Sequence, residues 1–215
     1  MNTGRDESGT ARGAGTLPGE PDALRGSGLR VAIFGGAFDP IHRGHLTLAG
    51  AAVEQFKLDR LLLVPAVNPP HKKLVAGYED RFRMIELAVR DHPKLIASRL
   101  DAGREHSYSI DTIEKVRREL PPSTSLYFLI GADAFADIRT WVRWTDVIAS
   151  VEFVIASRPG YQYRVPEGAT VHRMDWLELP MSSSGIRARL QNGESPSELP
   201  PAVLHYIREH HLYTS

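Results

Sequence analysis

Cysteine is absent from the 215 residues, which excludes disulfides, thiolate zinc sites, iron–sulfur clusters and cysteine nucleophiles together. Any bound metal would have to use oxygen or imidazole ligands. No apolar run approaches the ~20 residues of a membrane span. An excess of one charge is missing too: 26 Lys and Arg balance 26 Asp and Glu, so the broad positive field that grips long nucleic acid is not there. A small anionic ligand needs only a local cluster and stays within reach. Residues 1–28 lack aromatics and hold seven of the 18 glycines. With so little apolar surface to offset ordering entropy, they are expected to form a disordered N-terminal tail. The tail has no apolar stretch of a secretion signal, and Asp6, Glu7, Glu20 and Asp22 do not suit an acid-poor transit peptide. A cytoplasmic protein without nucleic-acid or membrane partners is the simplest expectation.

From Leu29 onward the composition is that of a globular domain, with 42% apolar and 24% charged residues overall. Short apolar runs alternate with stretches of helical period. Strands are predicted at Leu29–Phe34, Leu61–Val64, Leu95–Ser98, Leu126–Ile130 and Glu152–Ala156, with one or two more in Val171–Leu179. Gly35-Gly36 is expected to break the first. Helices are predicted at Gly44–Phe56, at Glu79–Arg90, and from Ser109 to a stop at Pro121-Pro122, with Ile110, Ile113, Val116 and Leu120 on one stripe. Two more close the chain, at Ser183–Leu190 and Ala202–His210. This alternation predicts a doubly wound α/β domain over residues 29–215, with a mainly parallel sheet and C-terminal helices. Ligands of such sheets bind beyond the carboxyl ends of the strands.

The segment after the first strand, Gly35-Gly36-Ala37-Phe38-Asp39-Pro40-Ile41-His42-Arg43-Gly44-His45, joins strand to helix. Glycines let backbone approach a phosphate, and a helix N-terminus offers free N–H groups and partial positive charge. The segment lacks the lysine of G-x-x-x-x-G-K-[ST] and does not fit G-x-G-x-x-G, so neither a P-loop hydrolase nor a standard dinucleotide oxidoreductase is supported. His42 and His45 stand where that cation is missing, able to donate to phosphoryl oxygens and stabilise charge built in a transition state. Their spacing is not the i, i+4 of helical zinc motifs and no third ligand is evident, so no protein-held metal is expected. Far downstream, Ser182-Ser183-Ser184 and Arg187 combine hydroxyls at a helix start with a guanidinium one turn on, a second anion clamp.

The first segment resembles the G-x-F-D-P-x-H-x-G-H signature of the H-x-G-H nucleotidyltransferase superfamily. Met181 to Arg187 is similar to that superfamily's I-S-S-T-x-I-R motif, with Met181 for Ile and Ser184 for Thr. Across residues 30–213 the likeness is to the bacterial nicotinate-nucleotide adenylyltransferases. It runs through Pro69-Pro70-His71-Lys72, Arg81-x-x-Met84, Ser107-Tyr108-Ser109, Gly131-Ala132-Asp133, Trp141, Arg158-Pro159-Gly160 and Leu212-Tyr213. The resemblance implies a Rossmann-like nucleotidyltransferase fold and transfer of AMP from ATP to nicotinate mononucleotide, with Mg²⁺ bridging phosphates. It further implies ATP contacts at Gly35, Gly36, Phe38, His42, His45, Lys72, Asp133, Ser183, Ser184 and Arg187. His42 and His45 would be catalytic at the α- and β-phosphates, and Asp133 would meet a ribose. Trp141 would stack on the pyridine ring, with Tyr108 and Ser109 near its carboxylate. Superfamily members using phosphopantetheine, glycerol phosphate or nicotinamide mononucleotide are the nearest alternatives, and a non-catalytic nucleotide sensor is the alternative of another class.

Overall fold

Successive residues of each central strand divide between two faces of one sheet. Ala32, Phe34, Leu61, Leu63, Tyr127, Leu129 and Val154 join one buried cluster; Val31, Ile33, Leu62, Val64, Leu126, Phe128, Ile130, Phe153 and Ile155 join the other. Both faces are covered, which is why these strands read as unbroken apolar runs rather than alternating ones. The computed structural model describes residues 28–69, 73–176 and 181–214. The rest of the expected N-terminal tail and Lys72 lie outside the described residues.

The strands are β1 (Arg30–Gly36), β2 (Arg60–Pro65), β3 (Leu95–Ala97), β4 (Ser125–Gly131), β5 (Glu152–Ser157) and β6 (Thr170–Asp175). They form a sheet in the order β3-β2-β1-β4-β5-β6 with every neighbouring pair parallel. The order reverses between β1 and β4, opening a crevice at their carboxyl ends. On the first face lie α1 (Arg43–Gln55), α2 (Tyr78–Val89) and, late in the chain, α6 (Ser183–Gln191) and α7 (Pro201–Glu209). On the second lie α3 (Ser109–Glu119), α4 (Ala132–Ala136), a 3₁₀ turn Ile138–Thr140 and α5 (Trp144–Ser150). All four residues of the α3 stripe are buried, as the periodicity predicts.

Two expectations change. Gly35 and Gly36 do not break β1: they pair with Val64 and Pro65, because β2 beside them supplies ladder partners to the strand's end. Residues 132–150, where the sequence pattern gives no helix, carry α4, the 3₁₀ turn and α5. Elements of five, three and seven residues span too few turns to produce a readable helical period.

Candidate active site

Beyond Gly36 the chain turns sharply into α1. Phe38 takes a left-handed conformation, φ 48°, and its ring is buried, edge-on to Phe34 at 5.4 Å and to His45 at 5.1 Å. A Cβ on Gly36 would meet that ring at 3.0 Å. The Phe38 ring therefore packs into the core beneath the loop.

His42 is the N-cap of α1 and His45 its third residue. Their rings stack, and the His45 Nδ1 accepts from the His42 backbone N–H at 3.2 Å. Burial lowers the His42 pKa to about 4, with the Glu198 charge pulling weakly the other way. In the free protein at neutral pH His42 is thus an uncharged hydrogen-bond donor and not a stand-in cation. Gly44 lies against it: a Cβ there would meet the His42 Nδ1 at 3.0 Å.

The segment from Ser182 to Arg187 is fastened to this loop. Ser182 caps α6, accepting from the Gly185 N–H at 3.1 Å. Ser183 donates to the Pro40 carbonyl at 3.0 Å, and the Arg187 Nη1 donates to the Asp39 carbonyl at 2.7 Å. The Ser184 hydroxyl stays beside that of Ser182, 3.2 Å away. Two motifs far apart in sequence (Ser183 and Pro40 differ by 143) meet at one helix-start pair.

Beneath the loop is a buried ionic network that sequence reasoning missed. The Asp39 carboxylate accepts from the backbone N–H groups of Val75 and Ala76, at 2.7 and 3.1 Å, and from the Tyr213 hydroxyl at 2.7 Å. The Arg81 Nη1 donates to the Ala37 carbonyl at 2.8 Å and its Nε to the Ala76 carbonyl at 3.2 Å. Asp39 is 2% and Arg81 1% exposed. A signal for Arg81 existed: it precedes Met84 and Ala88 by three and seven residues, on the buried stripe of α2.

A cavity of about 570 Å³ opens from Gly35, Gly36 and Ala37 and runs between the ends of β1, β2 and β4 to the start of α3. Tyr108, Ser109 and Trp141 all line it. Trp141 is half-buried, its ring edge-on to Phe128 at 5.9 Å, so it belongs to the core and to the cavity wall at once. No side chain caps α3 at Tyr108, leaving the first backbone N–H groups of that helix start without intrahelical partners. The Ser107 hydroxyl is spent differently, accepting from the Val67 N–H at 2.8 Å and so tying the segment after β2 to α3. Asp133 is exposed in the first turn of α4, and its carboxylate takes a hydrogen bond from Tyr161, which raises that phenol's pKa. Of the nine implied ATP contacts among the described residues, only Gly35 and Gly36 line this cavity.

A cytidylyltransferase-like family model matches residues 33–189. A probable nicotinate-nucleotide adenylyltransferase of Solibacter usitatus is 59% identical over 187 residues, which cover 86% of this chain and 100% of the relative. This chain belongs to the nicotinate-nucleotide adenylyltransferase family. A second relative so described, from Thermus thermophilus, is 42% identical over 86% of this chain and 100% of its own. Among solved structures, Plasmodium falciparum nicotinic acid mononucleotide adenylyltransferase complexed with NaAD superposes with a TM-score of 0.72 at 21% identity, over 86% of this chain and 97% of that one. That likeness establishes the fold. No helix among the described residues of this family member is long and apolar enough to cross a membrane.

Proposed function

We propose that this adenylyltransferase moves AMP from ATP to the phosphate of nicotinate mononucleotide, with residues 29–215 acting as one nucleotidyltransferase domain. The observation that carries the reading is the junction of two features at the β1–β4 crevice. A histidine-bearing helix start, braced by the α6 clamp, adjoins a cavity lined by Trp141 and the uncapped start of α3. In the proposed reaction an oxygen of the acceptor phosphate bonds to the α-phosphorus of ATP, the bond between the α-phosphorus and its bridging oxygen breaks, and pyrophosphate leaves. The acceptor phosphate has its second pKa near ~6 and is already ionised, so no general base is required.

Catalysis then rests on positioning and charge stabilisation. His42 donates as a neutral imidazole from the loop, and His45 acts beside it on the α- and β-phosphates. Ser183, Ser184, Arg187 and Lys72 hold triphosphate oxygens, the backbone of Gly35, Gly36 and Phe38 runs alongside, and Asp133 meets a ribose hydroxyl. In the cavity Trp141 stacks on the pyridine, and Tyr108, Ser109 and the α3 dipole receive its carboxylate.

Imidazole, hydroxyl and backbone N–H groups suit phosphate oxygens rather than a hard cation. Among the described residues no group of three or more His, Asp or Glu could hold a metal. Mg²⁺ is therefore proposed to arrive on the ATP phosphates, where it neutralises their charge, and no protein ligands are assigned to it. Both substrates are charged nucleotides that do not cross bilayers unaided, which supports a cytoplasmic setting. Pyrophosphate release from ATP, measured across acceptors, tests the reading: release is expected only when nicotinate mononucleotide is added. Binding of ATP without release on any acceptor would convert the reading to a nucleotide sensor.

A further inference from the structure

The Tyr213 hydroxyl is the one side-chain donor, among the bonds described above, on the carboxylate at the centre of the loop's support. Tyr213 follows α7, where His211 and Tyr213 both take left-handed backbone conformations, φ 51° and 60°. Such conformations cost energy for side-chain-bearing residues. Here they accompany a chain that turns back after α7 and delivers the phenol, 4% exposed, beneath the loop. Burial and the hydrogen bond to Asp39 hold the hydroxyl protonated far above the ordinary tyrosine range, so it donates at every working pH.

Asp39 joins three parts of the site. Its own backbone lies in the loop leading to His42 and takes the Arg187 bond; its carboxylate gathers Val75 and Ala76. Arg81 spans the same two segments from the other side, bonding Ala37 and Ala76.

We propose that Tyr213 is a positioning residue for adenylyl transfer, acting through Asp39 to fix the β1–α1 loop and with it the stacked His42–His45 pair. The proposal rests on the adenylyl-transfer reading above. Without the hydroxyl, Asp39 keeps the Val75 N–H and, 4.0 Å away, the Arg187 guanidinium at Oδ2, but Oδ1 is left to the Ala76 N–H alone and the loop gains room to shift. Displacements of a few tenths of an ångström in preorganised donors are felt mainly in the transition state. The pyridine end of the acceptor cavity, at Trp141 and the start of α3, is built on other segments.

The test is Tyr213→Phe in the full chain, with Tyr206→Phe as the matched comparison. Tyr206 also hydrogen-bonds a carboxylate, Asp80 Oδ1 at 2.9 Å, but on the α2–α7 contact away from the loop. Both variants are expected to lose similar thermal stability. Only Tyr213→Phe should lose turnover, by about tenfold or more, with the KM for nicotinate mononucleotide unchanged. In the ligand-free protein its His42 and His45 ring NMR signals should move while those of Tyr206→Phe stay put. Arg81→Lys, which gives up the guanidinium bridge between the Ala37 and Ala76 carbonyls but keeps the charge, should show the same kcat-only signature and serves if Tyr213→Phe does not fold. Unchanged turnover per folded molecule in Tyr213→Phe, or equal losses in both tyrosine variants, would overturn the proposal. Failure of the unmodified protein to release pyrophosphate with any acceptor would instead sink the transfer reading, leaving the ring signals to decide the positioning role.

Discussion

The imidazoles of His42 and His45 stack with ring centroids 3.8 Å apart and 27° from parallel, while the His45 Nδ1 accepts the N-cap N–H of its own helix. An Nδ1 that accepts carries no proton, so neutral His45 keeps its hydrogen on Nε2. One residue thus finishes the helix start and presents a donor.

These two duties separate by substitution. A glutamine at the third helical position can still reach back to the N-cap N–H. His45→Gln is expected to keep the melting temperature, and His45→Ala to lose about 1 kcal/mol of stability. Both should lower turnover by roughly 10²–10³-fold, the scale for removing a preorganised donor. Steady-state kinetics beside thermal melts check this; normal turnover in either variant would remove His45 from the chemistry.

Acid should expose the burial of His42. Its pKa is about 4 in the folded protein against 6.5 for an unperturbed histidine. Between those values the unfolded chain takes up a proton that the folded protein refuses. Stability from this residue is complete above the window and falls as pH drops through it, by on the order of 3 kcal/mol. His42→Gln has no such titration and should show a shallower loss of melting temperature between neutral pH and about 4.5. Parallel slopes for the two proteins would contradict a neutral, buried His42.

Gly44 offers a test of ring position alone. An alanine there gains helix propensity of about 1 kcal/mol, yet its Cβ would meet His42 Nδ1 at 3.0 Å and Cε1 at 3.1 Å. Gly44→Ala is expected to melt within a few degrees of the parent while losing most of its turnover. Full activity would mean that the ring can yield without consequence.

Discrimination between acid and amide acceptors should reside at the start of α3. A helix start and a hydroxyl favour a carboxylate, whereas an amide would turn donors toward donors. A strong preference for nicotinate over nicotinamide mononucleotide is expected in kcat/KM. Ser109→Ala should erode it and leave ATP affinity nearly unchanged. Ser107→Ala, by contrast, should cost about 1 kcal/mol of stability, because its hydroxyl is bonded to Val67. Equal efficiency on both acceptors in the parent would reject the assignment.

What could be read in advance depended on how local the cause was. The strands and long helices announce themselves because each buries a run or stripe of its own residues, and the loop from Gly35 to His45 is one contiguous segment. The Ser183–Pro40 bond and the Tyr213–Asp39 bond span 143 and 174 residues, and no local period encodes such pairs. Arg81 entered only through the likeness at Arg81-x-x-Met84, although its spacing puts it on the buried stripe of α2. Ser107 and Ser109 are chemically identical in sequence and both line the cavity; only the fold commits the Ser107 hydroxyl to the Val67 N–H.

The stretch of cavity wall at Gly35 and Gly36 bears on inhibition. A compound resting there would touch main-chain atoms, which substitution cannot delete. A side chain at Gly36 would collide with the Phe38 ring at 3.0 Å and disturb the enzyme along with the compound. Resistance is therefore expected at Gly35, where a Cβ would meet only Phe128 at 3.7 Å, and at the rim, where Val142 and Tyr108 line the cavity with 47% and 36% of their surface open to solvent. Molecules that draw their affinity from Gly36 should be the slower to lose it.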